Sequence, residues 1–121
     1  YGQYLAKVQS IELTGADAME KAANMMAGLR KEAPQSIGGV KVTAVRDYKI
    51  RTEKNLVTGE ESYISLPASN VLEFILGNSG SVIARPSGTE PKVKFYYTAV
   101  AESKEQAQNL LNAMVQQMSV K

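Results

Sequence analysis

Apolar and polar positions change their spacing several times along the chain, and each change predicts an element. From Tyr4 to Leu13, β-formers (Tyr4, Val8, Ile11, Leu13) are mixed with polar residues, the pattern of a strand. Thr14 stands three residues before Asp17, a variant capping box in which a carboxylate can meet first-turn amides. Met19, Ala22, Ala23, Met26 and Leu29 then recur at helical spacing, predicting a helix with one apolar stripe that ends near Pro34. Gly38-Gly39 punctuates the chain. Val40, Val42 and Ala44 alternate with Lys41 and Thr43, predicting a half-buried strand that runs towards Ile50. Residues 51–62 read as a polar loop.

Asn70 to Leu76 reads as a strand with Leu72, Phe74 and Leu76 on one face. Gly77-Asn78-Ser79-Gly80 is a hairpin connection of residues that tolerate positive φ, and Ser81 to Arg85 returns as the next strand. Val93, Phe95, Tyr97 and Ala99 alternate with Lys94, Tyr96, Thr98 and Val100, the clearest strand signal in the chain. Ser103 and Gln106 make a capping box for a last helix with Ala107, Leu110, Leu111, Met114, Val115 and Met118 on one stripe. Met19, Met26, Met114 and Met118 all fall on these stripes, so core packing accounts for them. The order strand, helix, four strands, helix predicts an α+β fold in two layers. Its antiparallel sheet has about four to five strands, with both helices packed on one face.

Composition narrows the chemistry. The 121 residues form one domain's length and can bury roughly two-thirds of the unfolded surface. There is no cysteine and no histidine, which excludes disulfides, thiol catalysis, imidazole bases and His-ligated metals. A net charge of +2 is too small to read as a nucleic-acid or membrane footprint. No apolar run approaches the ~20 residues of a membrane helix, no secretory signal pattern is present, and the first residue is Tyr1 rather than methionine. These features suggest a processed chain or excised domain, cytoplasmic in location.

One segment is richer in chemistry than a strand connection needs: Arg85-Pro86-Ser87-Gly88-Thr89-Glu90-Pro91-Lys92. Arg85 offers a planar fork of donors suited to an oxyanion. Pro86 presets its own φ and holds Arg85 extended. Ser87 and Thr89 supply hydroxyls, and Gly88 between them permits close approach of a ligand to the backbone. Consecutive N–H groups at such a turn can form an anion nest, and Lys94 can bring a second positive charge back towards the loop. The alternative is a tight turn with solvated cations. The segment is not a Walker loop, since it lacks that motif and its strand-to-helix setting.

The run from Arg85 to Tyr96 resembles the signature of the C-terminal domain of the phosphoglucomutase/phosphomannomutase family, the α-D-phosphohexomutases. Ser69-Asn70-Val71-Leu72-Glu73-Phe74, the stretch Gly38–Val42, Arg46-Asp47-Tyr48 and the opening Tyr1-Gly2-Gln3-Tyr4-Leu5 are also similar to that domain, so the resemblance covers essentially the whole chain. It implies a TATA-box-binding-protein-like fold spanning 1–121, with residues 1–3 a junction from a preceding domain. It further implies a four-domain enzyme that interconverts hexose 1-phosphate and hexose 6-phosphate, of glucose and/or mannose. The route is a phosphoserine and a bisphosphorylated intermediate, with Mg²⁺ held by another domain. In that reading Arg85, Ser87, Gly88, Thr89 and Lys94 hold the substrate's non-reacting phosphate. This chain alone would be inactive, and its partners would be the hexose phosphate and the other three domains, with no nucleic acid or membrane.

Other readings compete. Lys41, Arg46, Lys49, Arg51 and Lys54, set against Asp47 and Glu53, could form an RNA-binding face with Tyr96 and Tyr97, although no RNP-like motif is present. A free-standing phosphate-binding module without catalysis is a further alternative, and a purely structural or partner-binding module, favoured only if Arg85 is tied up internally, is the third class. Glu53, Glu60 and Glu61 lie in a polar segment with no apolar setting to raise a carboxyl pKa, so they read as solvated.

Overall fold

In the computed structural model, which describes residues 3–87 and 89–119, nine strands and two helices follow one another. They are β1 (Gln3–Glu12), α1 (Ala18–Lys31), β2 (Ser36–Ile37), β3 (Val40–Lys41), β4 (Ala44–Asp47), β5 (Thr52–Asn55), β6 (Glu61–Tyr63), β7 (Leu72–Ile75), β8 (Gly80–Pro86), β9 (Lys92–Ala101) and α2 (Lys104–Ser119). Seven strands form one sheet in the order β1-β9-β8-β7-β4-β5-β6, every neighbouring pair antiparallel, and β2 and β3 form a separate small hairpin. The α+β two-layer class expected from the pattern is the observed one, with more strands in the sheet.

The layering follows from period-2 alternation. Val82 and Ala84 of β8 and Val93, Phe95, Tyr97 and Ala99 of β9 are all buried on one face. Both helices lie on that face: α1 brings Ala22, Met26 and Leu29, and α2 brings Leu111, Met114 and Met118 into the same cluster. Phe95 and Tyr97 stack with ring centroids 6.1 Å apart. The Tyr97 hydroxyl escapes an unsatisfied burial by hydrogen bonding Gln9 Oε1 at 2.7 Å. Lys94, Tyr96, Thr98 and Val100 stand on the opposite, open face.

The expected elements and the observed ones part in four places. The strand predicted from Val40 towards Ile50 is cut in two because its halves have different partners. Val40–Lys41 closes on β2 through a turn at Gly38 (φ +63°) and Gly39 (φ +83°), whereas Ala44–Asp47 pairs with β5 and β7. The segment read as a polar loop contains β5 and β6. Their pairing is carried by backbone bonds and by polar side chains, with Arg46 opposite Glu53 and Lys54 opposite Glu61, so no apolar alternation announces them.

The Thr14–Asp17 box does not form. Asp17 occupies the N-cap of α1 without a side-chain cap bond and instead pairs with Lys21 Nζ at 3.4 Å. Met19, expected on the buried stripe, is 52% exposed, since the stripe that meets the sheet runs through Ala18, Ala22, Met26 and Leu29. At α2 the expected cap is present, with Gln106 N–H donating to Ser103 Oγ at 3.1 Å. Among the described residues no helix is long and apolar enough to cross a membrane.

The β8–β9 ladder leaves no room at its start. A Cβ on Gly80 (φ +133°) would lie 1.9 Å from the backbone oxygen of Thr98, while one on Gly59 (φ +82°) would meet nothing within 4 Å. Gly80→Ala is therefore expected to lower stability by ~3 kcal/mol or more, because the ladder must open. Gly59→Ala should cost only the ~1–2 kcal/mol of a left-handed residue with a side chain. Urea unfolding of the two variants measures the difference.

Burial also pushes the Tyr97 phenol well above its ordinary pKa of 10. The folded state thus keeps its proton while the unfolded chain ionises. The contribution is intact below pH ~10 and is lost above it, by up to ~1.4 kcal/mol per pH unit. Stability measured from pH 9 to 12 should fall more steeply for the parent chain than for Tyr97→Phe.

Candidate phosphate-binding site

β8 ends at Arg85 and Pro86, and β9 begins at Lys92; the segment between them is closed by short-range bonds. Ser87 N–H donates to Lys92 O at 2.9 Å and Lys92 N–H to Glu90 O at 2.8 Å. Ser87 Oγ accepts from Glu90 N–H at 3.2 Å, which leaves the hydroxyl proton available to an outside acceptor. Lys92 Nζ pairs with Glu90 at 3.4 Å, and Leu13 N–H donates to Pro91 O at 2.8 Å, tying the far side of the loop to the chain after β1. The loop is braced at both ends by main-chain bonds.

The antiparallel register sets Arg85 directly opposite Lys94, and Lys94 opposite Ser10 on β1. Two cations so placed have Cβ atoms about 5 Å apart, and like charges directly opposite one another are unfavourable. Of the chain's four arginines, Arg30 and Arg46 hold carboxylates, and Arg51 lies 4.8 Å over the Tyr63 ring and donates to Ile64 O. The Arg85 side chain has no hydrogen-bond or ion-pair partner among the described residues, and neither has that of Lys94.

A cleft of about 660 Å³ opens beside Arg85. Its walls are the first turns of α1 (Met19, Ala22, Ala23), the segment Ser69-Asn70-Val71, and Arg85-Pro86-Ser87. Of the residues expected to hold phosphate, Arg85 and Ser87 thus share the cleft. Lys94 flanks Arg85 without lining it, Thr89 is exposed on the loop beyond, and Gly88 lies outside the described residues. A second groove of about 420 Å³ runs along α1 past Leu13, Met25, Gly28 and Leu29, with Lys21, Asn24 and Glu32 as its polar side chains.

The 69–71 wall is fixed by residues whose role the sequence reading did not identify. Asp47 is 7% exposed, and Arg30 Nε donates to its Oδ2 at 2.7 Å while Lys49 N–H donates to Oδ1 at 3.0 Å. Arg30 Nη2 reaches on to Asn70 Oδ1 at 2.8 Å. Ser69 N–H donates to Tyr48 O at 3.1 Å and Tyr48 N–H to Val71 O at 3.0 Å, so the wall is also stitched to the end of β4. Sequence alternation hides this role: with Val40, Val42 and Ala44 taken as the buried face, Asp47 falls on the polar one, and only its pairing opposite Leu72 turns it inward.

The basic stretch 41–54 looks different once its partners are visible. Arg46 is bound to Glu53 and lies 3.5 Å from Glu73, which also accepts from the Tyr48 hydroxyl at 2.9 Å. The Glu53 bond, and then the Tyr48 contact, hold the Arg46 guanidinium even more firmly protonated than usual, and burial followed by the Glu73 bond raises the Tyr48 phenol pKa. Tyr97 is buried in the core. Arg46 of the stretch is thus committed to carboxylates and Tyr97 to the core, while Tyr96 stands on the open face. Among the described residues no group of three or more His, Cys, Asp or Glu could hold a metal ion.

Comparison with known proteins places this geometry. Residues 12–117 match the family described as phosphoglucomutase/phosphomannomutase, C-terminal domain. This chain belongs to that family. It is 38% identical over 112 residues to a phosphoglucomutase of Staphylococcus haemolyticus, covering 92% of this chain and 20% of that protein. It is 38% identical over 95 residues to one of Staphylococcus epidermidis (78% and 17%) and 33% identical over 114 residues to one of Staphylococcus aureus (94% and 20%). The chain thus spans about a fifth of the length of the curated relatives it matches. The range shared with the phosphoglucomutase/phosphomannomutase family contains both walls of the cleft, the loop and Lys94; most of β1 precedes it.

Removing the acid beneath the 69–71 wall would leave Arg30 half-enclosed without its carboxylate. Asp47→Asn is expected to lower stability by ~2–3 kcal/mol, below the full cost of breaking a wholly buried pair because Arg30 retains some solvent contact. Denaturant midpoints compared at constant m-value check it.

Proposed function

We propose that this domain holds the non-reacting phosphate of a hexose phosphate while other domains of the same enzyme carry out phosphoryl transfer. The observation that carries the reading is Arg85, whose side chain has no partner among the described residues, lining a cleft together with Ser87 while Lys94 stands opposite it in the ladder. A dianionic phosphate there removes the cation–cation repulsion and receives the forked donors of Arg85. Thr89 completes the grip with its hydroxyl.

The full-length protein in this proposal interconverts hexose 1-phosphate and hexose 6-phosphate through a phosphoserine and a bisphosphorylated intermediate. The first domain supplies the serine, the second holds Mg²⁺, and the third reads the sugar hydroxyls. Glucose is the favoured hexose, since the relatives described above bear the name phosphoglucomutase. Mannose is the second candidate. Phosphoryl transfer depends on positioning and charge neutralisation, so a domain without histidine or a metal cluster still has a part in it.

The part is anchoring. Binding energy spent on a remote, non-reacting phosphate orients the sugar for attack. Because the intermediate must turn over and present either phosphate to the same clamp, donors that recognise phosphate rather than sugar suit the task. Closing the domain over the site keeps water from the phosphoenzyme. The chain alone performs no turnover, and the cytoplasm, where sugar phosphates are kept, is its compartment.

In the full-length enzyme Arg85→Ala is expected to reduce kcat/KM for glucose 1-phosphate by ~10²-fold or more, the equivalent of ~2–4 kcal/mol for an emptied charge-assisted anchor. Arg85→Lys should recover only part of it, because an ammonium cannot reproduce the fork. An unchanged kcat/KM in both variants would overturn the proposal.

A further inference from the structure

The cleft beside Arg85 has a second polar wall that the phosphate grip described above does not use. Asn70 lines it with Ser69 and Val71, across from Arg85-Pro86-Ser87. The way its amide is turned follows from Arg30. A guanidinium donates and cannot accept, so the group that meets Arg30 Nη2 at 2.8 Å must be the carbonyl oxygen, Oδ1. The NH₂ end is then left with two donors and no partner among the described residues.

Arg30 is itself held from behind. Its Nε is committed to Asp47, which is buried and further fixed by Lys49 N–H. The backbone of the wall is held independently, through Ser69 N–H on Tyr48 O and Tyr48 N–H on Val71 O. A donor whose orientation is set by two layers of hydrogen bonds costs little further ordering when an acceptor arrives. The first-turn residues Met19, Ala22 and Ala23 give the same cleft an apolar floor, so Asn70, Ser69, Ser87 and Arg85 supply its polar side chains.

We infer that Asn70 is a binding residue of this cleft, donating through Nδ2 to a phosphate oxygen of the bound ligand, with Arg30 as the positioning residue that decides which end of the amide faces it. The inference rests on the phosphate-holding reading and extends it to the opposite wall.

Asn70→Asp separates this role from a structural one. A carboxylate accepts from Arg30 at least as well as the amide oxygen, so a merely structural Asn70 would lose nothing. Ala23→Asp, an exposed carboxylate on the α1 wall of the same cleft, measures the through-space charge penalty alone. The 121-residue chain is titrated with inorganic phosphate and, in parallel, with glucose 6-phosphate, following backbone and side-chain amide resonances.

The expected result is that the Asn70 NH₂ resonances move with the same midpoint as the Ser87 and Thr89 amides. Asn70→Asp should weaken phosphate binding roughly tenfold more than Ala23→Asp does, about what a lost donor to a charged group is worth. Arg30→Lys, which can pair with Asp47 but cannot also fork to Asn70, should shift the Asn70 NH₂ resonances in the free protein and weaken binding several-fold. If Asn70 stays still while Ser87 and Thr89 move, or if the two Asp variants weaken binding equally, the inference fails and the Arg85 grip stands. If no resonance on the loop moves and Arg85→Ala changes nothing, both fail together.

Discussion

The register of β8 against β9 is the constraint on which the rest of this domain depends. One ladder places Val82, Ala84, Val93, Phe95, Tyr97 and Ala99 under the two helices and, by the same alternation, puts Arg85 and Lys94 side by side on the other face. A slip of one residue would bury the cations and expose the core together. Core stability therefore enforces a like-charge pair that by itself is unfavourable, and the pair persists because burying two aromatic and several aliphatic side chains outweighs a weak surface repulsion. Gly80 is part of the same constraint, since its lack of a side chain lets β8 begin against Thr98.

The second support is the chain of polar contacts from β4 through α1 to the 69–71 segment. Asp47 points inward from a strand position opposite Leu72, and Arg30 answers it from the last turn of α1. A buried pair of this kind adds little net stability compared with apolar packing, but it is specific about geometry. Here that geometry is the spacing between two walls of one cleft. The helix that covers the core is thus also the element that sets the aim of a side chain in the site.

Much of this was legible in the sequence. The alternation in β9 and the stripes of α1 and α2 are physical signals of burial, and the α+β class follows from their order. The loop from Arg85 to Lys92 stands out in the sequence because its residue types have few purely structural uses together, and the structure brings Arg85 and Ser87 of it to one cleft. What stayed hidden had no pattern to read. β5 and β6 are an edge pair whose side chains are charged or polar, held by a ladder and by the cross-strand Arg46–Glu53 pair that only a three-dimensional register reveals. The strand over 40–50 looked continuous because its alternation is continuous; its break comes from a change of partner. Met19 fell off the buried stripe because a helix meets the sheet along a narrower line than its apolar residues mark. Asn70 and Arg30 are separated by forty positions, and nothing local connects them.

The central claim is that an anion belongs between Arg85, Ser87 and the neighbouring Lys94. The most direct measurement is a crystal structure of the chain soaked with tungstate, an oxyanion of phosphate-like shape and charge whose anomalous scattering locates it without ambiguity. The account predicts a peak within hydrogen-bond reach of the Arg85 guanidinium and the Ser87 hydroxyl. A peak confined to the lysines of the 41–54 stretch, with the Arg85 cleft left empty, would contradict it.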